Sequence, residues 1–145
     1  MKGDDRTLFT ERRVEATPER IWQAIAEPAQ LSRWWGPSGF ANEFEQFDFR
    51  EGGDWRFWMI GPDGQRYWNE SRFVTLQPPH HLELAHVVAP LFTLTVTLTA
   101  EDGGTRLAWW QRFETAELRR ALETICIPAN EQNLDRLEAV LTDAA

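Results

Sequence analysis

The sequence predicts an α+β domain. A curved antiparallel sheet of about seven strands grips a long C-terminal helix, and two short helices separate the first strand from the second. Three observations carry this. From Phe44 to Glu114 apolar residues recur with a period of two, in runs divided by Gly, Pro and Asp turns. After Thr115 the period becomes helical and stays so to the end. Consecutive strands joined by tight turns make a meander with one covered face, and the C-terminal apolar stripe is its natural cover.

Each element has its own reason. Thr7 to Ala16 reads as the first strand, with Leu8 and Val14 on one face and Phe9, Glu11, Arg13 and Glu15 on the other. Thr17 caps a helix, Pro18 takes its first position, and Glu19 complements the dipole. Ile21, Trp22 and Ile25 form its apolar face. Pro28 ends that helix and opens a second, reaching Trp35, before the loop Gly36-Pro37-Ser38-Gly39. The second strand runs from Phe44, where Phe47 and Phe49 alternate with Asp48 and Arg50, to the Gly52-Gly53 turn. Trp55, Phe57 and Met59 mark the third. Gly61-Pro62-Asp63-Gly64 turns the chain into the fourth, Tyr67 to Leu76, which Pro78-Pro79 breaks. Leu82, Leu84 and His86 alternate with Glu83 and Ala85 in the fifth. Leu91 to Ala100 is the most regular, with Phe92, Leu94, Val96 and Leu98 set against four threonines. Asp102-Gly103-Gly104 leads into the last strand, Arg106 to Glu114. In the final helix Leu118, Leu122, Ile125 and Cys126 share one face, which Leu134, Leu137, Val140 and Leu141 continue. Pro128 predicts a kink or split between the two halves, with Ile127 to Asn130 the weakest part of the cover.

Composition narrows the function. The chain of 145 residues suits one domain over residues 1–145, and 42% apolar types suffice for a core. Net charge is 15 − 23 = −8, which disfavours a nucleic-acid surface and docking on anionic membranes. No apolar run approaches the roughly 20 residues of a membrane span. Met1 to Arg13 carries no apolar signal region, so a cytoplasmic location is expected. Cys126 is the single cysteine, which excludes an internal disulfide and a cysteine-built metal site. There is no Gly-x-Ser-x-Gly elbow, phosphate loop or dinucleotide fingerprint, and no cofactor, metal or catalytic set is expected.

Several clusters have two readings. In Trp34-Trp35-Gly36-Pro37 one tryptophan plugs the end of the sheet and the other lines the mouth of a cavity. Trp55, Phe57, Trp109 and Phe113 sit at strand spacing and serve equally as core or as an aromatic wall. His86 shares parity with Leu82 and Leu84: a satisfied core histidine, or a polar anchor in an apolar pocket. Gln111 shares parity with Leu107 and Trp109, which makes it a buried polar group. Cys126, beside Ile125 and Ile127, reads as packing. His80-His81, adjacent in a turn, lacks metal-ligand spacing. Glu11 with Arg13, and Glu70 with Arg72, read as ion pairs.

Arg13…Thr17-Pro18-Glu19…Trp22, Pro28…Leu31…Arg33-Trp34-Trp35-Gly36-Pro37, Asp48 to Trp55, Gly61 to Gly64, Pro78-Pro79, Gly104 to Leu107 and Leu134 to Leu137 form an ordered set. Together they resemble the bacterial homologues of the activator of heat-shock protein 90 ATPase, which are START-like (SRPBCC) proteins of the helix-grip fold. Ser71 departs from the glycine common at its position. The resemblance implies a cavity between the sheet and the last helix. Trp35, Trp55, Phe57, Met59, Phe73, His86, Phe92, Leu94, Trp109, Gln111, Leu122 and Cys126 are expected to line it. It also implies a binding protein for a small hydrophobic or aromatic molecule, monomeric or homodimeric. The alternatives are a cyclase- or aromatase-like enzyme, with His86 and Gln111 as its polar groups, or a modulator of a chaperone.

Overall fold

The computed structural model describes residues 4–142. The elements are β1 (Thr7–Val14), α1 (Pro18–Ala26), α2 (Pro28–Trp34), β2 (Ala41–Phe47), β3 (Asp54–Ile60), β4 (Arg66–Gln77), β5 (His81–His86), β6 (Phe92–Glu101), β7 (Gly104–Phe113) and α3 (Ala116–Thr142). The strands form one curved antiparallel sheet in the order β1-β7-β6-β5-β4-β3-β2. This is the helix-grip architecture. Strands β2 to β7 form a meander, whereas β1 sits at the opposite edge beside β7. The chain must therefore pass from one edge to the other, and α1 and α2 make that passage. Thr17 caps α1 as its sequence requires, accepting a hydrogen bond from the Arg20 backbone N–H.

The period of two sorts the sheet into its faces. Trp55 and Phe57, Leu82 and Leu84, Leu94, Val96 and Leu98, and Leu107 and Trp109 are all buried on the gripping face. Trp34 is buried with them and donates its indole N–H to the Ala24 carbonyl at 3.0 Å, plugging the end of the core. Between them Arg56, Glu83, Thr95 and Thr97 fall on the opposite face. There Trp58 and Trp68 cross at 4.9 Å, with the guanidinium of Arg66 over Trp58 and that of Arg56 over Trp68.

Three expectations change. The second strand begins at Ala41 and ends at Phe47, because Asp48 to Gly53 hydrogen-bonds within itself and to Phe73 of β4. The turn is tight enough that a Cβ on Gly53 would collide with the Asp48 carbonyl oxygen. The last helix is continuous through Pro128, yet its halves differ sharply in packing. Its buried residues are Asn133, Leu134, Leu137 and Val140, all after the proline. Leu118 and Leu122 are only half-buried and Ile125 is 67% exposed, so the expected anchors of the first half do not anchor it. Finally, Arg13 pairs with Glu15 and Glu101 rather than Glu11, and Arg72 pairs with Asp54 while Glu70 faces Arg56. Arg72 and Glu70 thus find their partners across the β3–β4 ladder, whereas Arg13 finds its nearest one two residues along its own segment.

The second half of α3 is held by two arginines. Arg12 of β1 reaches Glu131, Asp135 and Glu138 at 2.8, 2.8 and 2.6 Å. Arg136 donates to the carbonyls of Arg33, Trp35, Gly36, Pro37 and Phe40 at 2.8–3.1 Å. Asn133 adds a bond to the Trp34 carbonyl at 2.8 Å.

Candidate functional site

Because the buried side chains of α3, and its bonds to β1, β7 and the α2–β2 segment, lie beyond Pro128, its first half leaves a gap above the sheet. A cleft of about 280 Å³ fills that gap. Its floor is the gripping face of β3 to β7: Phe57 and Met59, Asn69 and Ser71, Leu84 and His86, Phe92 and Leu94, Trp109 and Gln111. Ile125, Cys126, Ala129, Asn130 and Asn133 of α3 form the roof, and Trp35-Gly36-Pro37 the rim. Gly36 has φ +95°, a backbone conformation that favours glycine, and a Cβ there would also have to push the flexible end of Met59 aside.

Of the expected lining residues, Trp35, Phe57, Met59, His86, Phe92, Leu94, Trp109, Gln111 and Cys126 surround this cleft. Trp55 and Phe73 do not. They border a separate void of about 20 Å³ deeper in the core, room for little more than one water. Leu122 lies one helical turn before Cys126, past the end of the lining. Asn69, Leu84, Pro90, Ala129, Asn130 and Asn133 line the cleft as well, beyond the residues expected. Parity with Ser71 and Phe73 marks Asn69, and spacing of four and seven from Cys126 marks Asn130 and Asn133, so both signals were present.

Two polar groups stand on opposite sides of the cleft. On one, Ser71 lies opposite His86 in the ladder. The His86 ring stacks on Phe92 with centroids 4.7 Å apart. His86 Nδ1 is 2.7 Å from the Pro90 carbonyl oxygen, an acceptor only, so this nitrogen carries a proton. Nε2 lies 3.0 Å from Asn69 Oδ1. An imidazolium donates to that oxygen, whereas a neutral ring needs the amide turned to present its NH₂. On the other side Asn130 Nδ2 donates to Gln111 Oε1 at 3.1 Å, tying α3 to β7.

Burial pushes the His86 imidazole below its usual pKa, against an opposite pull from the Pro90 and Val88 carbonyls. The unfolded chain therefore takes up a proton near pH ~6.5 that the folded chain resists. Stability falls as pH drops through that value. The denaturation midpoint of the protein should fall more steeply from about pH 8 to about pH 5.5 than that of His86→Gln. Parallel curves would show that His86 does not carry this dependence.

Cys126 is half-buried in the roof, and burial pushes its thiol above the ordinary pKa. Little thiolate is present at neutral pH, so the group packs rather than attacks. Among the described residues no helix is long and apolar enough to cross a membrane, and no three His, Cys, Asp or Glu side chains are grouped to hold a metal.

Residues 15–142 match the family model described as Activator of Hsp90 ATPase homolog 1-like protein. Comparison with curated protein sequences gives no match. Among solved structures, a protein from Arthrobacter aurescens is 26% identical with a TM-score of 0.90, over 99% of this chain and 91% of its own. One from Mycobacterium smegmatis is 29% identical with a TM-score of 0.83, over 98% and 94%. One from Rhodobacter sphaeroides is 28% identical with a TM-score of 0.87, over 99% and 96%.

Proposed function

We propose, since this chain belongs to the Activator of Hsp90 ATPase homolog 1-like family, that it is a cytoplasmic protein that binds a small hydrophobic or aromatic molecule in the cleft under α3. One observation carries the reading. The cleft holds about 280 Å³ between aromatic walls, under a helix segment that fully buries none of its own apolar side chains. A ligand there would cover Ile125 and the edges of Phe92 and Trp35.

Binding suits the site better than catalysis. Both His86 ring nitrogens are already engaged, and the Gln111 carbonyl oxygen is held by Asn130. A proton relay would first have to break these bonds. The family's description also suggests stimulation of the Hsp90 ATPase. An unchanged ATPase rate on mixing the two proteins would remove that second reading.

Thermal-shift and native mass-spectrometry screening of metabolites and lipids tests the binding reading. A ligand at a hundred times its Kd should raise Tm by roughly 5–10 °C. The same ligand at ten times its Kd should slow labelling of Cys126 by a thiol reagent about tenfold, since only the free fraction reacts. A screen without hits, or hits that leave Cys126 labelling unchanged, would count against the cleft.

A further inference from the structure

The cleft is apolar but not featureless. Every side chain that lines it is uncharged, in a chain where 15 basic and 23 acidic residues are present. The strand period is the cause. On β3 and β4 the lining residues Phe57, Met59, Asn69 and Ser71 alternate with Arg56, Glu70 and Arg72, whose ion pairs lie on the far face. The guanidinium of Arg136 does come near the rim: its Nη1 would stand 3.8 Å from a Cβ at Gly36. Both terminal nitrogens of that group already donate to backbone carbonyls, so it has no fork left for a carboxylate. Burial also keeps the His86 ring toward its neutral form.

Against this uncharged lining stand neutral hydrogen-bonding groups. Asn69, Ser71 and His86 are on one side, and Gln111 and Asn130 on the other, with Phe92, Leu94 and Trp109 between. Trp109, only 3% exposed, adds its indole ring to the wall. A hydroxyl, carbonyl or amide can exchange its water hydrogen bonds for those of these groups not already paired within the protein, the Ser71 hydroxyl, the Gln111 NH₂ and the Asn130 amide oxygen, at little net loss. An ionised group cannot. It would surrender hydration and meet no opposite charge.

We propose, on the reading that the cleft is a binding site, that it selects uncharged ligands: an apolar or aromatic body bearing a neutral hydroxyl, carbonyl or amide, seated between the Asn69–Ser71–His86 and Gln111–Asn130 groups. Carboxylates and amines on the same body are rejected. The rejection is local in origin. The protein's net charge of −8 would repel an anion but attract a cation, so exclusion of both signs separates desolvation in the cleft from the long-range field.

The test uses two matched series at neutral pH and physiological salt: 2-naphthylmethanol, 2-naphthoate and 2-naphthylmethylammonium, and 1-decanol, decanoate and decylammonium. Affinity is read by calorimetry, and residence in the cleft by protection of Cys126 from a thiol reagent. The expected result is that at least one alcohol binds, protects Cys126, and has a Kd at least about tenfold below both of its charged counterparts. A carboxylate or ammonium that binds as tightly as its alcohol while protecting Cys126 would overturn the selectivity and leave the cleft reading standing. Binding without protection, or no binding by any of the six probes, would overturn the cleft reading and the selectivity with it.

Discussion

Trp34→Ala is expected to remove about 3–5 kcal/mol of stability, a large share of the roughly 5–15 kcal/mol available to a domain of this kind. Trp34 is 1% exposed and closes the core where α2 ends. Its loss opens a cavity that α1, α2 and α3 must line together. The Ala24 carbonyl loses its 3.0 Å indole donor, and the edge-on contact with Trp35, 5.6 Å between centroids, disappears. Chemical denaturation checks it. The urea midpoint should fall by on the order of 1 M or more, with an unchanged slope. A shift smaller than a few tenths of a molar unit would mean that Trp34 is not the plug.

Arg136→Met should cost about 2–4 kcal/mol, because one half-buried cation satisfies five backbone carbonyls of the segment from Arg33 to Phe40. Part of the loss is returned. Burial already pulls the Arg136 pKa down, so removing the charge also removes a desolvation cost. Methionine keeps the apolar stem, which confines the change to the guanidinium. Arg136→Lys should rescue little, since a single ammonium cannot span acceptors that a planar fork reaches from both nitrogens. The rim of the cleft is made of the same carbonyl-bearing residues, Trp35 to Pro37. Affinity for any cleft ligand should therefore fall in Arg136→Met even at temperatures where the protein stays folded. Unaltered stability in both variants would show that these carbonyls are equally well served by water.

The gripping face of the sheet was legible from the sequence. In β6 the alternation of Leu94, Val96 and Leu98 with threonines leaves one arrangement that buries the larger apolar surface, and pairing with β5 and β7 preserves it. Thr17-Pro18 carries its helix start in its own side chains. The charges absent from the cleft follow from the same period, because Arg56, Glu70 and Arg72 fall on the other parity.

Periodicity says which side chains share a face, but what that face meets is set by distant chain. Leu118, Leu122 and Ile125 repeat like a buried stripe, and only the folded molecule shows that the sheet does not come up to meet them. Trp55 and Phe57 have the same parity on β3. One borders packed core and the other the open cleft, according to where α3 leaves the surface uncovered. Nothing in the residues around Arg136 and Arg12 singles them out. Their roles depend on partners about a hundred residues away, in the α2–β2 loop and along α3. Local backbone geometry is written into neighbouring residues. Burial, and therefore the cleft, is a property of which segments the tertiary fold brings opposite each other.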